Sequence, residues 1–174
     1  ALLGLILGLI PLLLVSAAQL AGQLTSTSMG LGASQLLDPT SGGSVSELSR
    51  LYGDLVIIIF LLMGGHHVVI YALSGLSNSL PPGTFFPGEA SVTMLIDRFG
   101  HIFRTGFIIS SPVVISLLLT QFVMGLLSKA VPTINIFIIS FPLTVGIGLA
   151  VSALALPNIS KYFQKEITGI ENSI

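Results

Sequence analysis

The placement of charge along the chain dictates its fold class. Residues 1–37, 55–88, 105–128 and 130–160 contain no Asp, Glu, Lys or Arg. A helix crossing a hydrocarbon core of about 30 Å needs about 20 apolar residues, and each of these stretches is long enough. The whole chain has six basic and seven acidic side chains, 7% of its residues, against roughly 25% in ordinary soluble domains. A soluble protein of this size could not cover its surface with so few. The expected class is therefore all-α: a single membrane-embedded domain over 1–174, with kinked and broken helices, a re-entrant-type loop and helical-hairpin packing.

Four helical blocks are expected, at about 2–27, 48–76, 105–128 and 133–158, with an amphipathic connector at 89–104. Pro11, Pro112 and Pro142 lie inside apolar blocks, where each removes a backbone hydrogen bond and favours a kink. Gly4 and Gly8 form a G-x-x-x-G face that allows close backbone approach, and Ala18 and Gly22 repeat that spacing. Gln19 and Gln23 are four apart and share a helix face, one that should meet protein or water rather than lipid. Ser46 is a candidate N-cap, and Arg50 and Asp54 are spaced to pair. In the connector, Asp97, His101 and Arg104 fall on one face, opposite Leu95, Phe99 and Ile102. Basic residues gather at 98–104 and 161–165, with two apolar runs between them. A hairpin returning both ends to the cytoplasmic side satisfies the positive-inside rule.

Residues 29–45 fit no regular helix. Gly30, Gly32, Pro39, Gly42 and Gly43 interrupt the stretch and Asp38-Pro39 marks a turn, yet Leu31, Leu36 and Leu37 are apolar. Irregular backbone at membrane depth is tolerated only inside protein or beside a water-filled cavity. Apolar teeth on a glycine-hinged loop suit either a pore plug, since hydrophobic constrictions close pores by dewetting, or a re-entrant loop packed on its neighbours.

Other functions find little footing. A net charge of −1 offers no electrostatic footprint for nucleic acid. The absence of cysteine removes disulfides and thiolate chemistry. His66 and His67 lie within an apolar block, but adjacent helical residues point about 100° apart and no acidic residues stand at metal-ligand spacing. Gly146-Ile147-Gly148 lacks the strand context of a phosphate-binding loop. No G-x-S-x-G or H-E-x-x-H motif supports an intramembrane enzyme. A secondary transporter or small-solute channel subunit is the main alternative, because broken helices are what transporters use at midplane. Against it, no charged residue sits centrally in any apolar block, where coupling ions usually need one. No cofactor is expected.

The stretch Gly125-Leu126-Leu127-Ser128-Lys129-Ala130-Val131-Pro132-Thr133-Ile134-Asn135-Ile136-Phe137, followed by Phe141-Pro142-Leu143, resembles the C-terminal signature of the FliR family of type III protein export gate subunits. The resemblance extends to Ala21-Gly22-Gln23, Met29-Gly30-Leu31, Asp38-Pro39, Ser41-Gly42, Gly65-His66-His67 and Leu80-Pro81-Pro82-Gly83, in the family's order. The Gly-His-His and Asp-Pro-x-Ser-Gly pieces resemble flagellar members more than virulence ones. Where the family often has glutamate after Ala-Gly this chain has Gln23, and Ser34-Gln35-Leu36-Leu37 stands where phenylalanines are common.

The resemblance implies a non-enzymatic subunit of the flagellar export gate, in the bacterial inner membrane at the basal body. Its partners would be FliP-like and FliQ-like subunits, FlhB-like and FlhA-like components, and unfolded export substrates. It implies that Met29, Gly30, Leu31, Gly32, Leu36, Leu37, Asp38, Pro39, Gly42 and Gly43 form a pore plug. Subunit packing would fall to Gly4, Gly8, Gln19, Gln23, Pro132, Asn135, Phe137, Phe141 and Pro142. It also implies that parts of the helices are lifted out of the bilayer plane, and that the chain is N-terminally incomplete relative to the family.

Overall fold

The computed structural model describes residues 2–31, 46–73, 89–131 and 136–171, all of them helical apart from turns and caps. Among the described residues five helices follow one another: α1 (Leu2–Ser28), α2 (Glu47–Leu62), α3 (Gly65–Leu73), α4 (Glu89–Ala130) and α5 (Ile136–Glu171).

Proline does not break the long helices. Pro11, Pro112, Pro142 and Pro157 all lie inside helices. At Pro112 the lost N–H would leave the Ile108 carbonyl without a partner, and the Ser111 hydroxyl donates to that carbonyl at 2.8 Å. Ser116, Thr120 and Ser128 likewise donate to carbonyls of their own helix at 2.8 Å. Hydroxyls satisfied this way can face lipid without an unpaired polar group. As no proline stands at their junction, residues 89–104 and 105–128, expected as separate elements, form one 42-residue helix. It is about 60 Å long at 1.5 Å per residue. Phe99 lies exposed on this helix while Ile102 is half-buried, because the face expected to be the apolar one is shared between the bundle and its surroundings.

The second expected block is two helices. α2 and α3 meet at 66° across Met63-Gly64. Gly64 has φ +74, a left-handed conformation open to glycine at no steric cost. Gly65 packs so closely on the Phe60 ring that a Cβ there would collide with it.

Phe99–Ala130 and Ile138–Lys165 are long and apolar enough to cross a membrane, and the α2–α3 pair would make a third span if taken as one. α1 runs antiparallel to α2, with Gly22 against Ser49 and Gln19 against Gly53, and parallel to α4, where Leu20 sits on Gly106. α4 and α5 form an antiparallel hairpin. Thr105 and Tyr162 hydroxyls meet at 3.4 Å, so residues 98–104 and 161–165 stand at the same end of that hairpin.

One buried cluster joins α1 (Ala18, Ala21), α2 (Tyr52, Val56), α4 (Ile109) and α5 (Ala155, Ile159, Phe163). A second gathers Met29, Val113 and Leu117, backed by Leu31, Leu48, Ile147 and Val151. Outside these seams the long helices expose leucine, isoleucine and phenylalanine over most of their surface, as helices in lipid or in a larger assembly do. Arg50 pairs with Glu47 at 3.9 Å, not with Asp54. Glu47 also lies on that face, three residues away, and both side chains are so exposed that the pair contributes little.

Candidate functional site

The residues at the root of the 29–45 segment are held by contacts from three helices. α1 ends in a Schellman motif: the Leu31 N–H donates to Ser26 O at 3.1 Å and the Gly30 N–H to Thr27 O at 3.0 Å. Gly30 takes the left-handed conformation this cap requires, with φ +84. The two remaining carbonyls at this end face side chains from the hairpin. Gln121 Nε2 of α4 donates to Ser28 O at 3.1 Å, and Thr144 Oγ1 of α5, which donates to Phe141 O of its own helix at 2.9 Å, stands 3.4 Å from Met29 O.

Met29 itself is 1% exposed. Its side chain fills the space over Gly148, where a Cβ would collide with it, and packs on Val113 and Leu117. The helix cap and burial against α4 and α5 thus fix Met29 in place. Gly30 is exposed and Leu31 half-buried. The chain therefore turns away at a glycine, directly after an anchored methionine.

The segment's other end returns to the same helix. The Ser46 N–H donates to Gln23 Oε1 at 3.3 Å, and Ser46 Oγ caps α2 by accepting from the Ser49 N–H at 3.2 Å. Ser49 Oγ donates to Gln19 O at 2.6 Å. A Cβ on Gly22 would lie 2.5 Å from Ser49 Cα, and one on Gly53 would lie 3.0 Å from the Gln19 side chain. Gln19 and Gln23 therefore serve the α1–α2 seam of this chain. Gly32, Leu36, Leu37, Asp38, Pro39, Gly42 and Gly43 lie outside the described residues.

Among the residues expected to pack on other subunits, Gly8 is exposed, and a Cβ there would meet nothing within 4 Å. Phe141 is 46% exposed and Pro142 is also exposed, on the turn of α5 before buried Thr144. Gly4 and Phe137 belong to α1 and α5, but their surroundings, and all of Pro132 and Asn135, lie outside the described residues.

Thr144, Gly148, Gln121 and Ser49 carry the two ends of the segment, and sequence reasoning did not single out their roles. Gly146-Ile147-Gly148 was a visible signal, but it does not say that Gly148 admits Met29 whereas Gly146 faces open space.

The His66 and His67 rings come together, with centroids 4.0 Å apart and planes tilted by 42°, despite their helical offset. His66 Nδ1 is buried without a hydrogen-bond partner. No three His, Asp or Glu side chains gather at metal-binding distance among the described residues.

Continuous apolar helices, internally satisfied hydroxyls and tight seams surrounded by greasy outer faces define an integral membrane helical protein. The pinned residues that flank 32–45, Met29 on one side and Ser46 on the other, are the feature that distinguishes it. The family described as bacterial export proteins, family 1, matches residues 1–170, and the chain belongs to that family. It is similar to the flagellar biosynthetic protein FliR of Aquifex aeolicus, with 34% identity over 163 residues covering 90% of this chain and 62% of the relative. It is also similar to FliR of Escherichia coli, with 29% identity over 172 residues covering 98% of this chain and 66% of the relative. The Yop proteins translocation protein T of Yersinia pestis is 26% identical over 143 residues, 81% of this chain and 55% of the relative. The chain thus spans 62–66% of the length of these flagellar relatives.

Proposed function

We propose that this chain is a core structural subunit of the bacterial flagellar (type III) protein export gate, forming part of the secretion pore and, through residues 29–45, of its plug. The observation that carries the proposal is the family match across residues 1–170. Flagellar relatives, at up to 34% identity, favour the flagellar system over the virulence one.

In this reading the subunit sits in the inner membrane at the basal body with FliP-like and FliQ-like subunits, and FlhB-like and FlhA-like components act beside it. Unfolded substrates pass through the pore, and the chain contributes wall and seal rather than bond chemistry. Gly8, Phe141 and Pro142 contact neighbouring subunits, in keeping with their exposure. The anchored Met29 and the left-handed Gly30 suit a plug whose base stays fixed while the remainder moves.

Affinity purification through a C-terminal tag, from cells with all native partners, tests the assembly. Recovery in fixed proportion with small multi-copy membrane proteins similar to FliP and FliQ is the expected result. Recovery as a lone monomer or homo-oligomer overturns it. Deleting Gly32–Ser44 tests the plug: cells become leaky to ions and small solutes while the assembly persists. Unchanged permeability with an intact assembly refutes the plug.

A further inference from the structure

Between α4 and α5, near the polar end of the hairpin, lies an open cavity of about 300 Å³. Its α4 wall includes Ile108 and Pro112. Its α5 wall includes Val151, Leu154, Asn158 and Tyr162. The surface is almost wholly apolar except at the end bearing Asn158 and the Tyr162 hydroxyl. Leu154, on its rim, is 79% exposed.

The basic residues next to it share its helical phase. Arg104, Ile108 and Pro112 are spaced by four and lie on one stripe of α4. Leu154, Asn158, Lys161 and Lys165 are spaced by four, three and four on one stripe of α5. Arg104, Lys161 and Lys165 are all exposed. Arg104 and Lys161 directly precede Thr105 and Tyr162, whose hydroxyls meet at 3.4 Å, so the two cations flank one mouth. Among the described side chains there, Asp97, further out on the α4 stripe, is the acidic one, and His101 is half-buried with its Nδ1 3.3 Å from the Thr105 hydroxyl. Positive charge therefore prevails at the mouth.

The dimensions match one leaflet. Arg104 to Pro112 spans about 12 Å and Lys161 to Val151 about 15 Å along their helices, against about 15 Å for half of a hydrocarbon core. Long basic side chains at helix ends reach naturally to the headgroup level, and basic pockets between membrane helices suit anionic headgroups.

We propose that this groove binds one anionic glycerophospholipid. Its phosphate pairs with Arg104 and Lys161, its polar glycerol region lies by Asn158 and Tyr162, and an acyl chain lies along Ile108, Pro112 and Leu154. The inference rests on the membrane placement of α4 and α5, which their length and apolar composition support, and it requires this hairpin to remain in the bilayer within the export assembly.

The test is native mass spectrometry of the detergent-extracted protein, in whatever assembly it forms, with phosphatidylglycerol and phosphatidylcholine of equal chain length added in competition. Phosphatidylglycerol is retained preferentially, and the preference falls about fivefold for each charge removed by Arg104→Gln and Lys161→Gln. Arg104→Lys keeps the preference. Leu154→Trp fills the groove and lowers retention of both lipids. These exposed positions leave the fold intact, which helicity and elution volume verify. Equal retention of the two lipids, or a preference that survives the double Gln variant, overturns the proposal. So does Leu154→Cys, in a chain with no other cysteine, if it cross-links in good yield to a neighbouring polypeptide in the intact assembly, because a protein then occupies the groove.

Discussion

Gly22→Ala adds one methyl group where two helix backbones meet. The new Cβ would lie 2.5 Å from Ser49 Cα, 2.8 Å from Leu48 O and 2.9 Å from Ser49 N. Carbon atoms rest at about 3.5–4.0 Å, and no side-chain rotation relieves a clash with backbone. α1 and α2 must therefore part by about 1 Å. That separation stretches the 2.6 Å bond from Ser49 Oγ to Gln19 O and the 3.3 Å bond from the Ser46 N–H to Gln23. Overpacking costs about 1–3 kcal/mol and a lost hydrogen bond about 1 kcal/mol. The better helix propensity of alanine returns about 1 kcal/mol, leaving a net loss of about 1–3 kcal/mol. Gly125→Ala is the control: nothing lies within 4 Å of its Cβ, so only the propensity gain of up to about 1 kcal/mol remains. The two variants should differ by about 2–4 kcal/mol, or roughly 5–15 °C in the midpoint of heat-induced loss of the folded peak in detergent size-exclusion chromatography. Gly53→Ala, facing only the flexible Gln19 side chain, should fall between them. If Gly22→Ala and Gly125→Ala lose the folded peak at the same temperature, the α1–α2 seam is not the close contact described.

Met29→Ala empties a buried site between α1, α4 and α5 and should destabilise the protein by about 2–5 kcal/mol, read in the same heating assay; a change below about 1 kcal/mol would show that the side chain is not anchored. Gly30→Ala forces a Cβ into the left-handed region at a cost of about 1–2 kcal/mol, whereas Gly30→Asn, tolerated in such caps, should cost less; equal effects would refute the assigned cap. Gln23→Leu removes the acceptor for the Ser46 N–H and should hasten limited proteolysis between residues 32 and 45. Gln23→Glu keeps the acceptor and places negative charge near the start of α2, worth about 0.3–1 kcal/mol, and should leave proteolysis unchanged or slower; identical cleavage of the two variants would remove Gln23 from that role.

The hydropathy pattern specified a helical membrane protein, because burial in lipid and hydrogen bonding within a helix are properties of contiguous residues. Charge-free runs fall in α1, α2–α3, α4 and α5 because nothing beyond the run itself is needed to form such a helix. Serine beside proline, as at Ser111-Pro112, was likewise a local device that carries a helix through a missing N–H. The glycines could not be sorted this way. Gly22, Gly125, Gly146 and Gly148 look alike in sequence, but Gly22 admits a backbone, Gly148 admits Met29, and the other two face open space. Gly64 and Gly65 were visible within an apolar block, yet the 66° bend between α2 and α3 depends on the left-handed φ at Gly64 and on Phe60 packing over Gly65. Arg50 had acidic residues on its face in both directions, and geometry chose Glu47. Residues 29–45 divide in the same manner. Their glycines, proline and leucines are the sequence basis for expecting an irregular apolar loop. Only the tertiary structure makes Met29 a fixed root, because Gln121, Thr144, Val113, Leu117 and Gly148 come from helices that lie far along the chain and meet it only when the hairpin closes on α1.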